Sequence, residues 1–171
     1  YFSIGVAGHP EGHAESTSRE EEIQHLKEKI EAGADFILTQ FFYDVDVFID
    51  YVEAVRGAGI NVPVIPGILP IQNYNTFQRM TSICRTRVPP EVPRQLAPIR
   101  DDDEAVKRFG VAYAVDMARR LMAANPGGLH FYTLNLERSV REIVSGLTAP
   151  TPTPTPPPGD EADGMPPAAP P

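Results

Sequence analysis

The sequence has 171 residues, 42% of them hydrophobic, and a formal net charge of -8. That is enough apolar matter for one ordinary core, but no electrostatic pull toward nucleic acid or anionic lipid, because the basic residues are scattered among acids and form no stripe. No stretch approaches the roughly 18 to 20 uninterrupted apolar residues of a bilayer span, and the single cysteine, Cys84, cannot close an internal disulfide, which predicts a buried thiol in a reducing, cytoplasmic compartment.

The chain opens on Tyr1 and enters an apolar segment at once, the pattern expected of an excised or incomplete product. Phe2 to Gly8, FSIGVAG, reads as a buried strand ended by His-Pro. Ser16 to Ser18 offer caps for a helix with an acidic first turn (Glu20, Glu21, Glu22), a core stripe of Ile23, Leu26 and Ile30, and a stop near Gly33. Asp35 to Phe42, DFILTQFF, is a second strand, and Val45 to Val55 a second helix ending in the Gly57, Gly59 break. Val62 to Ile68 is strand three. Asn73 opens a helix carrying Phe77, Met80 and Ile83, followed by an irregular stretch with Pro89, Pro90 and Pro93. Asp102 to Ala124 is a long helix, acidic at its start, with Arg119 and Arg120 late enough to suit the helix dipole. Leu129 to Leu134 is strand four and Glu137 to Leu147 the last helix. From Ala149 the text is dominated by proline and threonine, so residues 149–171 are expected to be a disordered linker or tail, serving as a spacer, a polyproline ligand or nothing.

Four apolar runs, each followed by a helix, predict parallel strands joined by right-handed crossovers with the helices packed outside. At this length the pattern fits a small doubly wound sheet or half of an eight-stranded barrel, since a whole barrel needs about 250 residues. The first strand lies at the very edge of the chain, which favours the half.

In either architecture ligands gather at the carboxyl ends of the strands. There lie GHPEGH (Gly8 to His13), TQFF (Thr39 to Phe42), PGILPIQNY (Pro66 to Tyr74) and YTLN (Tyr132 to Asn135), a rim of amides, imidazoles and aromatic rings suited to planar polar ligands. His9, Glu11 and His13 are open to three readings: metal ligands, which Pro10 disfavours by breaking any HExxH-type helix, plain loop residues, or hydrogen-bonding groups for a cofactor. Glu22, His25 and Lys29 fall at i, i+3 and i+7 on one helix face, either converging on one polar ligand or forming a solvated face with a Glu to Lys pair. Gln40 is sharper. Its amide is embedded in an otherwise apolar run, where unpaired polar atoms cost about 1 to 3 kcal/mol, so it bonds either a ligand or a neighbouring loop. With no GxGxxG or Walker loop, a phosphate would have to use Lys29, His13 or a helix terminus.

The segments VAGHPEGH, LKEKIEAGADFILTQFFYD, VPVIPGILPIQNY and GLHFYTLN, in this order and spacing, resemble the second half of the catalytic barrel of the methylenetetrahydrofolate reductase family, in its eukaryotic type. The likeness extends over residues 1 to 148. It implies an α/β fold comprising the fifth to eighth βα units of a (β/α)8 TIM barrel that binds FAD. The implied reaction reduces 5,10-methylenetetrahydrofolate to 5-methyltetrahydrofolate, with NADH or NADPH as hydride donor. By position, Gln40 matches the family's glutamine that contacts folate and nicotinamide. His13, Glu22 and Lys29 match flavin-contacting positions, as does His25. Lys29 suits the diphosphate and Glu22 a ribose hydroxyl. His9 stands where tyrosine is usual, Thr76 where some bacterial members have a folate-contacting glutamine, and Leu136 where many have arginine. The acid that protonates folate and the aspartate that tunes the flavin belong to earlier strands, so no catalytic residue is assigned here. The piece is expected to be inactive without the N-terminal half-barrel of a homo-oligomeric parent. The competing expectation is a non-catalytic α/β module whose proline-rich tail recruits partners.

Overall fold

Ile37, Val64 and Ile68 are sealed from water, and the β-branched runs around them can bury that face only by pairing side by side beneath a layer of helices. In the computed structural model, which describes residues 2–13, 15–124 and 127–148, they do so as a single parallel sheet in the order β1-β2-β3-β4. The strands are β1 (Gly5–Gly8), β2 (Phe36–Phe41), β3 (Val64–Ile68) and β4 (His130–Phe131). Gly8 lies opposite Thr39, Ile37 opposite Val64, and Ile68 opposite Phe131. The crossovers contain α1 (Arg19–Glu31), α2 (Val45–Gly57), then α3 (Tyr74–Cys84), α4 (Glu91–Leu96) and α5 (Asp103–Ala124), with α6 (Glu137–Thr148) closing the described region.

Most helix starts obey local chemistry. The side chains of Ser18, Asp44 and Asn73 accept from the N–H groups of Glu21, Asp46 and Thr76, and Asp102 accepts from Glu104 and Ala105, satisfying amides the helices leave free. Beneath them α2 carries Phe48, Tyr51 and Val55 into the core, where Phe48 stacks on Phe42 at 5.2 Å.

Three expectations are corrected. The proline-rich stretch is not irregular: it forms α4 and a 3-10 turn, Ala97–Ile99, because Pro93 falls in the first turn of α4, where a missing N–H removes no intrahelical bond. Strand four is much shorter than Leu129 to Leu134, since Leu134 and Asn135 both adopt positive φ, 49° and 64°, and turn the chain out of the ladder. Arg119 and Arg120 precede the last turn of α5 and tie elements together instead, Arg119 donating to the Gly146 carbonyl and Arg120 pairing with Asp46. The residues expected to form a disordered tail, 149–171, lie outside the described residues, apart from which the element order follows the sequence reading.

The sheet is irregular where it matters for the site. Between Leu38 and Phe41 the β2–β3 register shifts, and in the gap the Thr39 hydroxyl accepts from the Gly67 N–H at 3.0 Å while the Tyr132 hydroxyl donates to the Thr39 carbonyl, also at 3.0 Å. Gly67 permits this approach, because any Cβ there would strike the Thr39 carbonyl oxygen. Such a bulge re-aims the residues beside it, here Gln40. Along β2, Ile37, Thr39 and Phe41 are buried, whereas Phe36, Leu38 and Gln40 are half-buried. The second set shares the face on which Gly5 and Ala7 of β1 lie exposed. Among the described residues β1 pairs only with β2 and β4 only with β3, so that face and both sheet edges stay open.

Candidate functional site

Gly8, the last residue of β1, has no room for a side chain: an added Cβ would collide with the Tyr51 hydroxyl of α2 and with Ile37. This close seat brings the loop after β1 over the ends of β1 and β2, enclosing a cleft of about 620 Å³ lined by His9, Glu11, His13, Arg19, Glu22, Gln40, Tyr51, Ile83 and Arg85. Its position at strand carboxyl ends is where parallel α/β sheets bind ligands.

Glu22 organises the cleft. Its Oε2 accepts from the His13 N–H at 3.1 Å, and its Oε1 lies 3.0 Å from His9 Nδ1, with the two side chains only 24% and 12% exposed. That Oε1 and the buried Tyr51 hydroxyl make no well-aligned hydrogen bond within the described chain, although His9 Nδ1 is close enough to Oε1 for an ionic contact. Burial lowers the His9 pKa below its ordinary 6.5, and the charges of His13 and Lys29 push the same way, against the pull of Glu22. At neutral pH the imidazole is therefore uncharged, and the contact with Glu22 is polar rather than a full ion pair. Burial, reinforced by Glu22, also holds the Tyr51 proton far more tightly than usual. The His9 and His13 rings meet edge-on at 4.7 Å.

Gln40 projects from the open face into this cleft. Its Oε1 accepts from the Phe41 N–H at 3.0 Å, and its amide nitrogen has no partner among the described residues, leaving two donors for a ligand edge. Glu11 is held by the chain itself: its carboxylate accepts from the Arg87 N–H at 2.7 Å, and burial raises its pKa above 4.5. Thus His9, His13, Glu22 and Gln40 come together. His25 and Lys29 do not; both are exposed on α1, outside the cleft lining. The expected Glu to Lys pair is also absent, the α1 side-chain bond running instead from Gln24 to Glu28.

Three cleft residues escaped sequence reasoning. Tyr51 carries only the apolar helical spacing of α2, and the sequence reading assigns nothing to Arg19 or to Arg85, which closes α3 at φ 51°, ψ 35°. Thr76 and Leu136 line a second, small pocket of about 70 Å³ at the ends of β3 and β4, with Tyr43, Phe77, Met80 and Leu134. Among the described residues no three His, Cys, Asp or Glu side chains cluster as a metal would require.

Comparison with known proteins fits this picture. The family model described as methylenetetrahydrofolate reductase matches residues 1–148. The chain is 49% identical over 146 residues to methylenetetrahydrofolate reductase 1 of Schizosaccharomyces pombe, covering 85% of this chain and 24% of that protein. It is 44% identical over 156 residues to methylenetetrahydrofolate reductase (NADH) 1 of Arabidopsis thaliana, covering 86% and 26%. The chain thus spans about a quarter of the length of these curated relatives. A solved structure titled as an uncharacterized protein from Clostridium thermocellum that binds two copies of 5-methyl-5,6,7,8-tetrahydrofolic acid aligns with a TM-score of 0.56 at 14% identity, covering 85% of this chain and 52% of that one, a likeness of fold alone. With the family's segments laid along four parallel strands and its polar residues gathered at their ends, the chain belongs to the methylenetetrahydrofolate reductase family.

Proposed function

We propose that this chain forms one half of a (β/α)8 barrel in a flavin-dependent enzyme that reduces 5,10-methylenetetrahydrofolate to 5-methyltetrahydrofolate with a nicotinamide dinucleotide as donor. The sequential order of parallel strands, open at both edges, supports the half-barrel reading, and so does the fit of the chain to half of a longer solved structure. The observation that carries the activity is the cleft in which Gln40 offers an unpaired amide nitrogen beside the His9–Glu22 pair.

The residues present suit FAD. The cleft floor holds two buried polar atoms, Glu22 Oε1 and the Tyr51 hydroxyl, that lack hydrogen-bond partners, as expected where a hydroxyl-bearing ligand completes the network. Bound there, the flavin supplies the hydride chemistry. His9, His13 and Glu22 would hold and orient it, while His25 and Lys29 lie outside the lining on α1, the charge of Lys29 helping to keep His9 neutral. Gln40 presents its amide to the edge of the folate or the nicotinamide, so that both substrates meet the same register. The missing proton donor lies in the other half-barrel, so the piece alone is inactive.

The full-length protein containing this chain is expected to purify yellow, with flavin absorbance. Gln40→Leu should keep its flavin content and lose about ten- to a hundredfold in kcat/KM for the folate, the equivalent of one or two ligand hydrogen bonds. A colourless protein that binds no added FAD, or a Gln40→Leu variant with unchanged kcat/KM, refutes the reading.

A further inference from the structure

We propose that Thr39 is a positioning residue for Gln40, gripped by the Gly67 N–H and the Tyr132 hydroxyl so that the Gln40 amide meets its substrates in one fixed register. This rests on the reading of Gln40 given above and adds to it the support behind that amide. The first ground is local geometry. A side chain is aimed only as well as the two planar peptide units that flank its Cα. The unit before Gln40 carries the Thr39 carbonyl, which accepts from the Tyr132 hydroxyl at 3.0 Å. The unit after it carries the Phe41 N–H, which donates to Gln40 Oε1 at 3.0 Å. Both are held, and the Gln40 amide nitrogen is the end left free in the cleft.

The second ground is what the sheet fails to supply. A regular strand takes such restraints from its ladder, but the β2–β3 register shifts between Leu38 and Phe41 and breaks the ladder beside Gln40. The Thr39 side chain repairs the gap, its hydroxyl accepting from the Gly67 N–H at 3.0 Å. Thr39 is fully buried, where losing a partner leaves a polar group without water to replace it. A valine in an unbroken ladder would fill the same space; the hydroxyl is needed because the bulge turns Gln40 toward the cleft.

The third ground is reach. Tyr132 follows β4 and grips β2 from beyond β3. Its N–H is fastened to the Ile68 carbonyl at 2.8 Å, and its ring passes over Gly67, where an added Cβ would strike it. Burial raises the Tyr132 pKa above its ordinary 10.0, so the hydroxyl keeps its proton and remains a donor. The ends of three strands thereby converge on the peptide that carries Gln40, and an amide ordered in advance loses little freedom when a ligand binds.

The test is a double-mutant cycle in the full-length protein, read as kcat/KM for the folate. Tyr132→Phe and Thr39→Val should each lower it about tenfold, the scale of one misaligned hydrogen bond, with flavin content unchanged. Thr39→Ser, which keeps the hydroxyl, should stay within about twofold of wild type. In a Gln40→Leu background Tyr132→Phe and Thr39→Val should cost no more than about twofold further, because nothing remains to be aimed. Any fall in Tm, by contrast, should be the same in both backgrounds. Should Thr39→Val not fold, Tyr132→Phe decides by itself. A Tyr132→Phe variant with wild-type kcat/KM, or one that loses as much without Gln40 as with it, overturns the positioning role and leaves the reading of Gln40 intact. A Gln40→Leu variant with unchanged kcat/KM overturns both.

Discussion

His9, which the family resemblance sets at a position where tyrosine is usual, makes the cleft sensitive to pH. Its folded pKa is depressed, chiefly by burial, so between that value and the unfolded 6.5 the unfolded chain binds more protons, and stability rises with pH. The His9 contribution is complete above about pH 6.5 and is lost as the pH falls below it. Thermal unfolding of wild type and His9→Gln at about pH 7.5 and about pH 5.5 should show the wild type losing more on acidification. Glu11, whose raised pKa has the opposite slope, is common to both proteins and cancels in the difference. Equal losses would remove His9 as the source. At this scale the sequence was informative for Gln40, whose polarity within an apolar strand demanded a partner. It was silent on Arg19 and Arg85, whose place in the cleft lining depends on which loops the fold brings together.

Elements were legible wherever periodicity and capping agreed. α2 shows why: Asp44 caps it, its apolar stripe has helical spacing, and the same stripe packs on β2, so local preference and tertiary demand coincide. Phe48 is fully buried and stacked on Phe42, and Phe48→Ala should destabilise the fold by about 3 to 5 kcal/mol in chemical denaturation. A loss below about 1 kcal/mol would show that α2 is not a main support of the core. Elements were misjudged where one signal overrode another. Proline reads as a breaker in the sequence of α4, yet there it occupies the tolerated first turn. The apolar run of β4 was taken as a full strand, although the turn at Leu134 and Asn135 ends the ladder after Phe131.

For the molecule as a whole, the open face is the dominant fact. Phe2 is 92% exposed and Ile4 56%, beside a sheet edge without a partner among the described residues, and exposed apolar edges recruit other strands. Sedimentation of the purified 171-residue chain should therefore show self-association that grows with concentration, and a single stable monomer at tens of micromolar would contradict the open-edge reading. The strand order that leaves those edges open also bears on how the protein is made. β2, β3 and β4 each pair with the strand before them, so each of these three βα units, as it leaves the ribosome, finds its docking strand already synthesised.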